Sequence, residues 1–445
     1  MDYSAMGAAA LGRAVARGKA DPIEIAQYFI DRIRHHPQAD EIYTRLTTER
    51  ALEEAAGASR RAKEGRLAGP LDGVPVSWKD LYDTEGVATE SGAPLLKGRT
   101  PQKDAIVLTA ATAAGTVCLG KTHQTEFAFS GLGINPNTAT PPNVLMPGHA
   151  PGGSSSGAAA SITHGLAPVA IGSDTGGSVR IPACWNSLVG MKTTHGLLSL
   201  EGAVPLCAGF DTVGPIARTV EDAALMTAAL GGPLTETGSL PAVSDLRFAV
   251  VDGAPMENCD AAVLQAFEAA VQRLEAAGVS ITRIDPSAAL KESLSLGAAL
   301  FPFEAWQQWG SLIEANPGIM YPPVEVRFRQ GALVTRADYD AGWNALKDIR
   351  KAFFAGYSDF DGFLLPTIPM LPPRVDELLA DDERFTSVNL LALRNTRFVN
   401  LLGSCALTLP VPEPCIGLQV MGYPMADARL LQVGLAVEET VRNGA

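Results

Sequence analysis

The chain has 445 residues, 47% of them hydrophobic and 19% charged, and carries a formal net charge of −13. This composition supplies a buried core and excludes a disordered chain, and an acidic balance with no Lys/Arg blocks excludes a nucleic-acid footprint. Six cysteines without a CxxC pair, and six histidines without an HExxH motif, give no expectation of a disulfide framework or a metal centre. The opening stretch MDYSAMGAAALGRAV lacks a basic segment ahead of a long apolar one, and no apolar run reaches membrane-spanning length, so a cytoplasmic setting is expected.

In chain order, helices are expected over 4–18 and 21–34, the second opening on Asp21-Pro22 with Glu24 three positions after the Asp, and a third over 48–63. These form an N-terminal helical layer to about residue 65. Residues 73–83, GVPVSWKDLYD, read as a short apolar strand with Lys79 at its end. Such a lysine either snorkels to the surface or pairs with Asp80, or it is a buried amine whose pKa falls far enough for it to act as a base. A helix over 104–114 follows. Residues 115–122, GTVCLGKT, match the phosphate-loop pattern, but the residues between the glycines are β-forming and apolar, so the glycines flank a strand and make no cradle. Residues 126–148, rich in Gly, Asn and Pro, read as an ordered loop.

Residues 151–182, PGGSSSGAAASITHGLAPVAIGSDTGGSVRIP, hold two glycine-flanked serine clusters joined by a mostly apolar connector. Strand and turn pieces follow at 189–196 and 209–218, then a helix over 219–230 capped by Thr219. Strands at 246–251 and 279–284 bracket a helix over 260–278, a βαβ-like unit. Residues 286–360 read as helical with aromatic interruptions, 362–366 and 417–421 as buried strands, and 425–442 as a final amphipathic helix. The alternation points to an α/β architecture with a mixed sheet.

A serine hydroxyl needs a base within hydrogen-bond reach to become a nucleophile at neutral pH. Residues 153–157, GSSSG, fit the GxSxG elbow with Ser155 at the centre, but that arrangement needs an acid and then a histidine downstream, and only His164 and His195 lie near. No Ser-xx-Lys pair occurs. Lys79 is then the available base, with a second serine to pass the proton. In the turn Thr175-Gly176-Gly177-Ser178, successive backbone N–H groups can converge on one oxyanion.

With PVSWKD around Lys79, GKTHQTEFAFSGLGINPN, PGGSSSGAAAS, GSDTGGSVRIPA, DTVGPIARTVEDA, LLPTIP and GLQVMGYPMADARLL, the chain resembles the amidase signature family over most of its length. The resemblance implies a single domain over 1–445 with core motifs in 71–222, built as a mixed α/β fold whose largely central sheet is covered by helices on both faces. It implies a Ser-cisSer-Lys triad: Ser178 as nucleophile, Ser154 as the relay behind a cis Gly153–Ser154 bond, and Lys79 as base. The amides of Thr175, Gly176 and Gly177 would form the oxyanion hole. Ser155, Asp174 and Arg180 would support the site, Arg180 either bracing the loop or meeting a substrate carboxylate. The implied reaction is hydrolysis of a small carboxylic amide through an acyl-enzyme, with no cofactor, metal, nucleic acid or membrane; the oligomeric state is left open. The alternative is the A subunit of a glutamyl-tRNA(Gln)/aspartyl-tRNA(Asn) amidotransferase acting as glutaminase, and a third reading is a non-catalytic scaffold. Two departures from the family pattern are PLCAGFDT, which sets Cys207 and Ala208 near the expected pocket wall, and a short loop between Leu409 and Gly417.

Overall fold

The strand segments PVSWK, VAIGS, GFLLP, ALTLP and GLQVM are continuous runs with no polar alternation, and every residue in them is buried. A run of that kind is stable only with both sheet faces covered. The computed structural model describes residues 2–236 and 238–443, and their strands form one eleven-stranded sheet. The strands are β1 (Tyr43–Leu46), β2 (Pro75–Lys79), β3 (Val117–Thr122), β4 (Val169–Ser173), β5 (Val189–Lys192), β6 (Val213–Ala217), β7 (Arg247–Val251), β8 (Ser280–Ile284), β9 (Gly362–Pro366), β10 (Ala406–Pro410) and β11 (Gly417–Met421). Their order is β1-β3-β2-β4-β6-β5-β10-β11-β9-β7-β8.

The sheet is mixed, as expected. β2 runs parallel to both β3 and β4, and β7 parallel to β8 and β9, while the six remaining pairings are antiparallel. The parallel register Ser77↔Ala170 and Trp78↔Ile171 brings the carboxyl ends of β2 and β4 side by side. Ligands in α/β sheets gather at such ends. The expected βαβ unit is β7, helix Ala261–Ala276 and β8.

Several boundaries differ from the sequence reading. The first helix starts at Ala8, and the connector between the serine clusters is helix Ser156–Thr163 followed by β4. Residues 286–360 break into helices Ser287–Ala315, Pro322–Gln330 and Arg336–Gly356. Helix Asp382–Leu401 and β10 have no counterpart among the expected elements. The helix buries Asn389, Asn395, Thr396 and Asn400 on its inward side, which blurs the apolar stripe that marks an amphipathic helix. Among the described residues no helix is long and apolar enough to cross a membrane.

The N-terminal layer is fastened to the rest by Asp222. Thr219 caps helix Val220–Ala229 in a capping box with Asp222, whose Oδ1 also accepts the Ala9 N–H at 2.7 Å. Removing the cap in Thr219→Ala is expected to cost about 1 kcal/mol, whereas Asp222→Ala also orphans a buried N–H and is expected to cost about 2–3 kcal/mol. Urea unfolding of both variants measures the difference; equal losses would mean that the bond between helices contributes nothing.

Candidate active site

Lys79 is the last residue of β2 and is fully buried. Pairing with Asp80 does not occur: that carboxylate faces Arg45 and Lys121. The Lys79 Nζ instead lies 2.6 Å from Ser154 Oγ and 2.9 Å from Ser173 Oγ, at the end of the adjacent parallel strand. Burial pushes its pKa down to about 7, although Asp174 and Asp211 pull the other way. An amine surrounded by hydroxyls with no carboxylate in contact loses its proton easily, so the group can serve as a base near neutral pH.

The first serine cluster reaches Lys79 because glycine permits a close approach of two loops. A Cβ on Gly153 would lie 2.5 Å from the Gly133 nitrogen and 2.7 Å from Thr125 Oγ1. With only hydrogen there, Gly153 N–H donates to Gly131 O at 2.8 Å and Thr125 N–H to Ser154 O at 3.1 Å. The Gly153–Ser154 peptide bond is cis. Ser155 turns away from Lys79, its hydroxyl lying 3.3 Å from both the N–H and the carbonyl oxygen of Ser173, while its own N–H donates to Ser178 O at 3.3 Å. The two clusters are thereby clamped side by side.

The second cluster is shaped by a buried ion pair. Asp174 accepts from Arg180 Nε at 3.0 Å and Nη2 at 2.9 Å, and from the N–H groups of Gly177 and Val179. Burial pushes the Asp174 carboxyl up, but Arg180, Lys192 and Asn400 outweigh it and hold the pKa at about 2. Arg180 spends its remaining donors on Thr396 O, Gln419 Oε1 and Asn400 Oδ1 and is fully buried, so it braces the loop and has no free face for a substrate carboxylate. Gly177 sits at φ +136°, where a Cβ would lie 2.1 Å from Thr396 Oγ1. Its N–H is committed to Asp174 at 2.8 Å; among the described residues those of Thr175, Gly176 and Ser178 have no protein acceptor. Thr396 Oγ1 donates to Gly176 O and Asp211 Oδ1 accepts from Thr175 Oγ1, fixing the turn from both sides.

Ser178 Oγ has no hydrogen-bond partner among the described residues and opens on a narrow pocket walled by Phe129, Leu206, Phe301, Arg327, Leu393 and Arg397. Cys207 lies behind that wall, its thiol donating to Phe301 O. The short loop after Leu409 closes the β10–β11 hairpin.

Sequence reasoning passes over four residues. Ser173 and Asp211 stand inside the motifs quoted above, one position from Asp174 and at the head of DTVGP, so their signal is present. Arg327 and Arg397 carry none, because nothing local distinguishes them from surface arginines. The rejected motifs are structural: Lys121 is buried in β3 against Tyr82 O and Thr89 Oγ1, and His164 and His195 bond His36 and Asp211 O, away from Ser155. Among the described residues no three His, Cys, Asp or Glu side chains converge on a metal-sized site.

The family model described as Amidase matches residues 24–431. A 2-amino-5-chloromuconic acid deaminase of Comamonas testosteroni is 36% identical over 412 residues, covering 89% of this chain and 87% of the relative. The A subunit of the glutamyl-tRNA(Gln) amidotransferase of Thermobifida fusca (strain YX) is 30% identical over 484 residues, covering 98% of this chain and 96% of the relative. A solved amidase crystal structure superposes with a TM-score of 0.87 at 28% identity, over 98% of this chain and all of that one. With its sheet, its serine clusters and these matches in agreement, the chain belongs to the amidase family and is a hydrolase of carbon–nitrogen bonds in amides.

Proposed function

We propose that the chain hydrolyses a small carboxylic amide through an acyl-enzyme formed on Ser178, with Ser154 and Lys79 moving the proton. Once the unpartnered Ser178 hydroxyl turns onto Ser154 Oγ, neutral Lys79 takes the Ser154 hydroxyl proton as Ser154 takes that of Ser178, and Ser178 Oγ attacks the amide carbonyl carbon. The oxyanion is met by the free amides of Thr175, Gly176 and Ser178, Ser178 taking the place expected of Gly177 because Asp174 holds that amide, each worth about 3 kcal/mol to the transition state. The proton returns through Ser154 to the departing nitrogen, ammonia or an amine leaves, and water cleaves the ester by the reverse relay. The observation that carries this reading is the fully buried Lys79 amine, 2.6 Å from Ser154 Oγ and out of contact with any carboxylate. The reaction needs no cofactor, and the free thiols of all six cysteines favour a reducing, cytoplasmic setting.

A second reading, favoured by 30% identity along nearly the whole chain to an amidotransferase component, is a glutaminase that works with partners. Purified chain alone is expected to release ammonia from simple amides; activity on glutamine only, and only with added partner proteins, would favour the second reading.

Ser178→Ala is expected to abolish turnover, Lys79→Ala to lower kcat by roughly 10²–10⁴-fold, and a fluorophosphonate to label Ser178. Labelling of Ser155, or activity surviving in Ser178→Ala, would sink the assignment. Because the base must be neutral and its pKa lies near 7, kcat/KM is expected to fall about tenfold per pH unit below that value and to level off above it. A profile that keeps rising toward the ordinary lysine value of 10.5 would contradict a depressed Lys79.

A further inference from the structure

Two cations line the pocket beside Ser178 without a counter-charge. Arg327, on helix Pro322–Gln330, is 7% exposed, and Arg397, on helix Asp382–Leu401, keeps part of its surface open. The Arg327 guanidinium rests 4.1 Å from the Phe129 ring centroid and donates to the Phe129 carbonyl; that of Arg397 lies 5.3 Å from the Phe301 ring, and its Nε has no partner among the described residues. No carboxylate of the described residues pairs with either. Burial pushes Arg327 down to about 9, helped by repulsion from Arg397, and burial pushes Arg397 down to about 10; both values leave the groups charged at neutral pH.

Arg180, a few residues from the same serine, shows what a structural arginine looks like in this protein. Its guanidinium is saturated by Asp174, Asn400, Gln419 and Thr396. Buried charges in proteins are paired, so two unpaired guanidinium groups facing one pocket form a socket for an anion. A planar carboxylate matches the guanidinium fork. The socket is also close to the chemistry: Arg397 Cγ and Nε lie 3.7 Å from where a Cβ on Gly176 would stand, beside the oxyanion turn. Only a few bonds can separate the anion from the reacting carbonyl, and Phe129, Leu206, Phe301 and Leu393 offer apolar walls to those bonds.

We propose that the substrate is the monoamide of a short dicarboxylic acid, its free carboxylate held between Arg327 and Arg397 while its amide carbonyl meets Ser178. This rests on the amidase reading above. A neutral amide of the same length would leave both cations unpaired, Arg327 in a buried position, and sites built around a polar partner reject analogues lacking it.

The test compares malonamate, succinamate and glutaramate with propionamide, butyramide and valeramide, in which a methyl replaces the carboxylate. The wild-type chain is expected to favour the best anionic amide over its neutral match by roughly 100-fold or more in kcat/KM. Arg397→Gln and Arg327→Gln are each expected to shrink that ratio by at least about tenfold, and Arg397→Lys to restore part of it. A wild-type ratio near one overturns the proposal without reference to any variant, as does a ratio unchanged in both. Fluorophosphonate labelling of Ser178 is read in parallel. Labelling without preference for the anionic amide defeats only the carboxylate socket, whereas absence of labelling defeats the amidase reading beneath it.

Discussion

In the proposed reaction Lys79 can act as a base only because it is kept out of contact with carboxylates. An ordinary lysine at the end of a buried strand would find an acid and stay protonated; here Asp80 is taken by Arg45 and Lys121, and Asp174 by Arg180. Asp174 still raises the Lys79 pKa, but a carboxylate sharing two hydrogen bonds with a guanidinium acts at a distance as a weakened charge. The buried Asp174–Arg180 pair thus has two consequences. It pins the amides of Gly177 and Val179, shaping the turn, and it limits how far the lysine is drawn back toward its charged form.

The sheet supplies the rest of the precision. Three parallel strands, β3, β2 and β4, end together, and the last residues of β2 and β4 are Lys79 and Ser173. Rigid strands set the separation of amine and hydroxyls, while glycines allow Ser154 and the turn Thr175–Ser178 to approach from loops. The helix that holds Asn395, Thr396, Arg397 and Asn400 closes the site from the far end of the chain. One helix therefore anchors Arg180, orients Gly176 and presents a free cation to the pocket.

The two kinds of arginine show how burial alone fails to distinguish structure from recognition. Arg180 and Arg327 are both withdrawn from solvent, but one has every donor occupied and the other leans on an aromatic ring with a single carbonyl partner. The difference lies in hydrogen-bond accounting, since an unsatisfied buried charge is costly unless a ligand completes it.

Local chemistry was legible in the amino acids alone: the strand runs PVSWK, GFLLP and GLQVM, the Thr219 cap, the glycine turns, an isolated lysine in an apolar segment, and the motifs that carry the family likeness. It also made the rejection of the phosphate loop sound, since GTVCLGKT carries its strand propensity openly. The remainder required the folded chain. That Lys79 faces Ser154 and Ser173 rather than Asp80 follows from parallel register, which no single segment records. That Gly177 spends its amide on Asp174, and that Arg327 and Arg397 meet beside Ser178, depends on contacts between segments far apart in the chain. A side chain's partners, and hence its charge and its task, are set by what folding brings near it.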